Sequence, residues 1–548
     1  MVDTPTLWKD LTQVNTSDAG TAQGDGQIVA LPDGGYVIVW NDASGVHAPG
    51  STIVGQRYNV LGEKVGGEVH LTPGFNGDED QPDITLLADG TIAVAFVRDN
   101  GNILVRRFDT DLDFISQDTI LTGPNDGANP SLTAFANGSY LATYSFDTGS
   151  NLDILGRIVQ ANGDGLDRNL DTGAALADVP ATATLTSGNA AVVYADEDSD
   201  VISLVLVSPT GIFTAPIDVP GTETGDDVLE FEADVAALKG GGFVVTWTDF
   251  SLVGGQVDVR ATILTNLGDV VQENILVNTN TDAVQDESTV VALDDGGFLV
   301  TWEDSDLGQV RAQRFSANGA KIGDEYAVKD GLSTDSPDSA LLSDGRIAYA
   351  IGDINNDPGP GGDADVATSI WDPRTSPING TNAGDALTSR IEGATVNGLS
   401  GNDSIFGQGG NDILNGGSGT DTLRGGDGND EITGGTGRDF MFGDAGNDDF
   451  DFNSVSESKK GSQRDKIQQF KRGDDDIDLS TIDAKTGVSG NNAFKFIGKD
   501  DFNDVKGELR FEDKGATVIV QGDRNGDGKA DFEIFVAVGT LSKGDFLL

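Results

Sequence analysis

Gly407-Gln408-Gly409-Gly410-Asn411-Asp412-Ile413-Leu414-Asn415 is one nine-residue sentence, and the blocks starting at Gly416, Gly425, Gly434 and Gly443 repeat it without losing the frame. The aspartates fall at Asp403, Asp412, Asp421, Asp430, Asp439 and Asp448, always nine apart. Asp385, in Gly380-Thr381-Asn382-Ala383-Gly384-Asp385-Ala386-Leu387, keeps that frame across a degenerate block at 389–397. Glycines supply tight turns of positive φ. The Asp-x-apolar triplet that follows reads as a short strand whose apolar residue points inward: Leu387, Val396, Ile405, Leu414, Leu423, Ile432, Met441 and Phe450. Two copies make one turn of a flattened right-handed coil, so the strands stack into parallel sheets and the turns stack with them. One carboxylate per repeat and several peptide carbonyls then converge on an all-oxygen cage, which suits Ca²⁺ better than zinc or copper. The strict register of Asp and apolar residue separates this segment from a Gly/Asp-rich disordered linker.

This is the Ca²⁺-binding nonapeptide pattern Gly-Gly-x-Gly-x-Asp-x-U-x, and residues 380–451 closely resemble the RTX (repeats-in-toxin) family. Beyond Phe450, Asp465-Lys466-Ile467-Gln468-Gln469-Phe470, Gly473–Ser480, Phe494–Gly498 and Gly507–Phe511 read as short strands and turns. With them, residues 380–548 resemble the C-terminal module of serralysin-type secreted metalloproteases. That resemblance implies export by a type I secretion system, and Asp545-Phe546-Leu547-Leu548 matches the family's ending of an acidic residue followed by apolar ones. The protease itself is not implied. A zinc protease needs His-Glu-x-x-His, whereas the only histidines are His47 and His70, 23 residues apart, and no Gly-x-Ser-x-Gly elbow is present.

Asp523, Asn525, Asp527 and Asp531 offer oxygens at loop positions 1, 3, 5 and 9, with Ile534 where an EF-hand carries its twelfth-position Glu. Two readings stand side by side: a further Ca²⁺ site, and a hairpin turn that favours Asp, Asn and Gly.

The whole chain has 548 residues, 37% of them apolar, enough for about three domains with their own cores. A net charge of −56 argues against nucleic acid or an anionic membrane as a direct partner and for cations. Cysteine is absent, so neither disulfides nor thiolate metal sites exist, and calcium would have to supply the stapling. Residues 1–10 have no basic segment followed by an apolar one, unlike a Sec-type signal peptide. No apolar run approaches the ~18 residues of a membrane span.

A longer repeat fills the first two thirds. Ile28–Trp40, Ile84–Phe96, Leu132–Tyr144, Thr182–Tyr194, Val235–Trp247, Val290–Trp302 and Ser339–Ile351 each combine an apolar strand, a tight Gly-containing turn and an alternating strand. Their turn glycines Gly34, Gly90, Gly138, Gly188, Gly241, Gly296 and Gly345 are spaced by 56, 48, 50, 53, 55 and 49 residues. A third strand follows, such as Val54–Tyr58 or Val310–Phe315, then a turn and a fourth. Seven such units predict a seven-bladed β-propeller. The last unit stops after its third strand, Val366–Asp372, while Thr6–Thr12 looks like a fourth strand without its first three. Paired, they complete the seventh blade and remove two exposed edges. Pro82, Pro130, Pro180 and Pro337 are expected at the start of first strands, where a missing N–H costs least.

The reading is therefore an all-β chain: residues 1–372 a propeller, 373–379 a linker, 380–451 a parallel β-roll holding several Ca²⁺ ions, and 452–548 a β-rich type I secretion module. Trp40, Trp247 and Trp302 are expected to pack rather than to form a carbohydrate platform. Arg57, Arg107, Arg157 and Arg314 should pair with the acidic surface, and Asp78-Glu79-Asp80 and Asp196–Asp200 should be solvated loop charge. Function then points to a secreted calcium-binding protein without catalysis. Its propeller would bind a glycan or cell-surface partner, or self-assemble, as an adhesin or surface-layer subunit does. The alternative is an extracellular polysaccharide hydrolase or lyase using a carboxylate pair at the propeller mouth.

Overall fold

The hairpins of residues 23–353 close into seven antiparallel sheets of four strands each. The first blade comprises Gln23–Ala30, Tyr36–Asp42, Thr52–Tyr58 and Lys64–His70, and the next five repeat that order. The seventh is made from both ends of the unit. Thr6–Gln13 pairs antiparallel with Asp365–Asp372, which pairs in turn with Ile347–Asp353 and Asp338–Leu341. The computed structural model describes residues 5–15, 23–44, 50–75, 77–121, 127–149, 151–160, 165–170, 177–196, 200–222, 228–251, 257–281, 284–330, 337–353, 365–373, 377–389 and 393–548. They fall into two compact units, Met1–Pro373 and Arg374–Leu548. Among them no helix is long and apolar enough to cross a membrane.

Ring closure follows from where the apolar side chains go. Alternating residues of each strand face opposite sides, so every sheet has two apolar faces to bury. Seven separate cores result, each between two neighbouring blades. One of them joins the seventh blade to the first, through Trp8, Ala348, Val366 and Ile370 on one side and Ile28, Ile38, Trp40 and Val54 on the other. Trp40, Trp247 and Trp302 are fully buried in these cores, as packing residues are.

Pro337 directly precedes its strand Asp338–Leu341, as expected, and the other three prolines sit elsewhere. Pro82, Pro130 and Pro180 lie inside the innermost strands, at bulges where the register slips between Asp80 and Asp83, Ala128 and Ser131, and Asp178 and Ala181. The residue before each is left-handed: Gln81 (φ 50°), Asn129 (φ 50°) and Val179 (φ 46°). Asp25, Glu232 and Glu287 hold the same conformation in blades without that proline. A bulge needs no ladder N–H from its extra residue, so proline fits there.

In the second unit the repeats form two sheets of parallel strands. Their register advances by eighteen residues per step, as Ile405 pairs with Leu423, Leu414 with Ile432 and Leu423 with Met441. The inward residues Val396, Ile405, Leu414, Leu423, Ile432, Met441 and Phe450 are buried in one column, with Leu387 packed against it. The boundaries differ from expectation at both ends. Ile378–Asn379, placed in a linker, is already the first strand of one sheet. Nor is there a seam at 451/452. Lys466–Gln468 and Asp476–Asp478 add in parallel to the sheets of the repeats, and Phe532–Val536 and Phe546–Leu547 add to those. Ile467, Ile477, Val536 and Phe546 extend the same core, so one apolar column binds both segments together.

A stacked pair lies where the ring closes. The Trp8 ring from the N-terminal strand lies 3.6 Å from the Arg346 guanidinium, which is fully buried and pairs with Asp344 at 2.6 Å. Arg346 also donates to the Val60 carbonyl of the first blade at 2.7 Å. Trp8→Ala should remove about 3–5 kcal/mol of propeller stability. Calorimetry of the full chain in calcium should show the propeller transition several degrees lower, with the other unit's transition unmoved.

Candidate metal centre and propeller channel

The repeat aspartates form two ladders, because residues nine apart lie on opposite edges of the coil and residues eighteen apart stack. In one ladder the Asp385 N–H donates to Asp403 Oδ1 (2.8 Å), Asp403 to Asp421 (2.8 Å) and Asp421 to Asp439 (2.8 Å). In the other Ala394 donates to Asp412 (2.7 Å), Asp412 to Asp430 (2.9 Å) and Asp430 to Asp448 (3.1 Å). Each rung thus spends one carboxylate oxygen on the backbone of the preceding turn. The second oxygen is left over. Oδ2 of Asp403, Asp412, Asp421, Asp430, Asp439 and Asp448 is buried and receives no hydrogen bond, while all six residues are at most 3% exposed.

An orphaned buried carboxylate oxygen is costly, and what faces it decides what would satisfy it. A Cβ added to Gly416 would stand 2.5 Å from the Gly434 carbonyl oxygen and 2.7 Å from Asp421 Oδ2. One on Gly398 would meet Asp403 Oδ2 at 2.5 Å and the Gly416 carbonyl at 2.6 Å. Glycine therefore keeps open a space on which carboxylate and peptide oxygens converge. At Gly437 (φ 153°) a Cβ would collide with the Gly419 carbonyl, so the turn admits no side chain. Among the described residues no three His, Cys, Asp or Glu side chains gather as a cage by themselves. Peptide carbonyls must complete any site, and this oxygen-only donor set fits a hard divalent cation.

The electrostatics agree. Burial, with like charges in the ladders adding to it, pushes the carboxyls of Asp412, Asp439 and Asp448 up to about 7. Asp403, Asp421 and Asp430 are raised by burial as well. A cation bound beside them would favour the ionised carboxylates that burial disfavours.

Two rungs lie outside the repeat pattern. Asp465 Oδ1 accepts the Asp439 N–H at 2.8 Å, and Asp475 Oδ1 accepts that of Asp448 at 3.2 Å. They follow their partners by 26 and 27 residues instead of eighteen, and of the glycine frame only Gly473, two before Asp475, is left, so the nine-residue period does not reveal them. The asparagines before the aspartates also carry a load: Asn402, Asn411 and Asn429 accept the N–H of Thr420, Asn429 and Asn447.

The group Asp523, Asn525, Asp527 and Asp531 is a turn between Val518–Asp523 and Phe532–Val536. Asp523 is buried, but its two oxygens accept from Gly526 (2.6 Å) and Gly528 (2.8 Å). Asp531 accepts from Arg524 and Asn525, and the exposed Asp527 accepts from Lys529. These oxygens close their own loop, and none is orphaned as in the ladders.

In the first unit the bulges line a central channel of about 450 Å³. Asp83, Asp234 and Asp338 face it, and burial pushes their carboxyls up to about 8, 6 and 7. Each accepts a backbone N–H from the next blade: Leu132 (2.5 Å), Val290 (2.8 Å) and Ile28 (2.9 Å). The other oxygen of Asp234 and Asp338 accepts from Val235 and Ser339, both at 2.7 Å. They work as clasps between blades. The glutamate of Asp78-Glu79-Asp80 is fully buried at the start of an inner strand, not solvated, and its carboxyl is pushed up to about 7 by burial. The cluster at 196–200 lies largely outside the described residues, as does His47, while His70 ends an outer strand within 3.3 Å of Thr72 Oγ1. Arg57, Arg107, Arg157 and Arg314 pair with Asp33 and Asp111, Asp89, Asp167 and Asp295, as expected of an acidic surface.

No curated protein matches the chain in sequence. Among solved structures it is similar to a protein from Dyadobacter fermentans DSM 18053 described as of unknown function. They share 13% identity over 68% of this chain and 99% of that one, with a TM-score of 0.42. It is also similar to the BP39L lectin from Burkholderia pseudomallei (11% identity, 64% and 98% covered, TM-score 0.42). A third is the Penicillium chrysogenum alpha-L-arabinanase complexed with arabinobiose (11%, 53% and 92%, TM-score 0.38). The family description "RTX calcium-binding nonapeptide repeat (4 copies)" matches residues 393–423 and 416–450. The segment from 393 to 450, which carries six of the ladder aspartates, is thus made of RTX calcium-binding nonapeptide repeats.

Proposed function

We propose that this is a secreted protein whose repeat unit folds as a calcium-filled β-roll after export, and whose propeller is a binding or structural module at the cell surface or in the matrix. The observation that carries the reading is the row of buried aspartate Oδ2 atoms without hydrogen-bond donors. Inside a cell, where free Ca²⁺ is scarce, these carboxylates repel one another and the unit stays unfolded, a state suited to a narrow export channel. Outside, millimolar Ca²⁺ satisfies them and binding energy becomes folding energy. Two further features support this. The chain has no cysteine to staple it otherwise. The ending Asp545-Phe546-Leu547-Leu548, which resembles a type I export signal, is folded into the last strand of the stack, with Asp545 and Phe546 buried. It is therefore readable only before folding.

In excess EGTA, limited proteolysis of the full chain should digest residues 374–548 and leave a propeller fragment of residues 1–373. In millimolar calcium both units should survive. Identical digestion and circular dichroism in the two conditions would overturn the reading.

Protons should partly replace the metal. The folded carboxyls at about 7 lie above the ordinary Asp value of 3.8, so between these pH values the folded state binds more protons than the unfolded one. Their contribution to stability is full below about pH 4 and is lost as pH rises through 7. In EGTA, the folded fraction of the repeat unit read by circular dichroism should therefore rise when pH falls from 7.5 to 5.5.

A second reading, a polysaccharide hydrolase or lyase, has one observation in its favour: the raised carboxyls of Asp83, Asp234 and Asp338 in the channel. A polysaccharide screen separates the two. The binding reading expects retention of a glycan or of cells without shortened products. Depolymerisation by the full chain, with shortened products, would establish the enzyme.

A further inference from the structure

We propose that Asp465, outside the repeats, supplies the last oxygen ligand of one ladder for a hard divalent cation, and that the other ladder ends at Asp475 without one. Both residues lie outside the nine-residue period and keep an apolar residue two positions on, Ile467 and Ile477. Both also occupy a rung in the same way, by accepting the backbone N–H of the preceding ladder aspartate. The strand after Asp465 keeps the parallel register, with Lys466, Ile467 and Gln468 opposite Phe440, Met441 and Phe442. The Lys466 N–H bonds the Asp439 carbonyl at 2.9 Å, just as the Phe440 N–H bonds that of Asp421 at 2.8 Å.

They differ at the second oxygen. Asp475 Oδ2 accepts the Lys471 N–H at 2.7 Å, from the tight turn four residues earlier. At the opposite end Asp385 Oδ2 is closed by the Thr381 N–H at 2.6 Å, again four residues earlier. These two rungs are sealed by the chain itself. Asp465 is fully buried, yet its Oδ2 has no donor. Its own backbone N–H goes to Ser458 Oγ at 2.9 Å, whose hydroxyl donates to the Glu533 carbonyl at 2.5 Å. The segment 458–465 is thereby held in place while that one oxygen stays open, as in the repeats. The open rungs are Asp403, Asp421, Asp439 and Asp465 in one ladder and Asp412, Asp430 and Asp448 in the other.

The inference rests on the repeats holding calcium, and native mass spectrometry of the full chain in calcium tests the two separately. A parent chain with no bound calcium would sink that premise. Asp465→Asn keeps an oxygen for the Asp439 N–H and removes the open one. It should fold in saturating calcium with one ion fewer than the parent and a calcium midpoint at higher concentration. Asp475→Asn, the matched control, should keep the parent's ion count. An unchanged count in Asp465→Asn, or the loss of an ion in both variants, would overturn the proposal. If Asp465→Asn stays unfolded in saturating calcium, Asp465→Glu decides: the parent's ion count in that variant supports a ligand role, and failure of both to fold assigns Asp465 to packing alone.

Discussion

A buried carboxylate oxygen with nothing to accept is the constraint on which the repeat unit depends. Each ladder aspartate is held by a backbone N–H from the neighbouring turn, which fixes its place, and Asp403, Asp412, Asp421 and Asp430 turn the other oxygen toward a peptide carbonyl. Carbonyls repel an anion, so the arrangement is unfavourable alone, and stacking it adds like charges to the desolvation of each. Only a proton or a cation relieves it. A divalent cation is the better answer, because it also attracts the carbonyls that a proton leaves unused.

The propeller solves the same problem in the opposite way. Asp83, Asp234 and Asp338 are also carboxylates away from bulk water, but their oxygens meet backbone N–H groups of the next blade. Those donors are available because the innermost strand of each blade has an unpaired edge facing the channel. A carboxylate that bridges two blades removes an orphaned donor from one and an orphaned acceptor from the other. The first unit therefore needs no ion for these groups, and its stability comes from seven apolar cores shared between blades.

What the sequence made legible follows from what repeats. The nine-residue frame shows the ladder positions from Asp385 to Asp448, and the fifty-residue frame shows seven blades and the completion of the last by Thr6–Gln13. Both are periodic, and periodicity survives in one dimension. Asp465 and Asp475 are not legible, because loops of irregular length bring them to a rung that only the parallel pairing defines. The boundary set at 451/452 failed for the same reason: composition changes there, but the apolar column from Phe450 to Ile467 and Ile477 does not. The channel clasps were hidden because the partner N–H of each lies in another blade, 49 residues on in the case of Asp83 and Leu132.

The two halves of the repeat unit are unequal in how they can form. Residues 380–450 are rich in glycine, whose ordering costs more backbone entropy than that of any other residue, and each turn buries only one apolar side chain per repeat. The following segment is different. Phe452, Phe470, Phe494, Phe511 and Phe532 sit with Ile477, Leu509 and Val520 in one core, and Val518–Asp523 pairs antiparallel with both Glu508–Asp513 and Phe532–Val536. That segment has the apolar surface the repeats lack, and it presents Lys466–Gln468 and Asp476–Asp478 as ready edges for the strands of the last repeats. In a stack where each turn contacts its neighbours alone, order spreads from an existing edge more readily than it starts anew. In the folded unit the C-terminal segment therefore supplies both an apolar core and paired edges to the last of the glycine-rich turns.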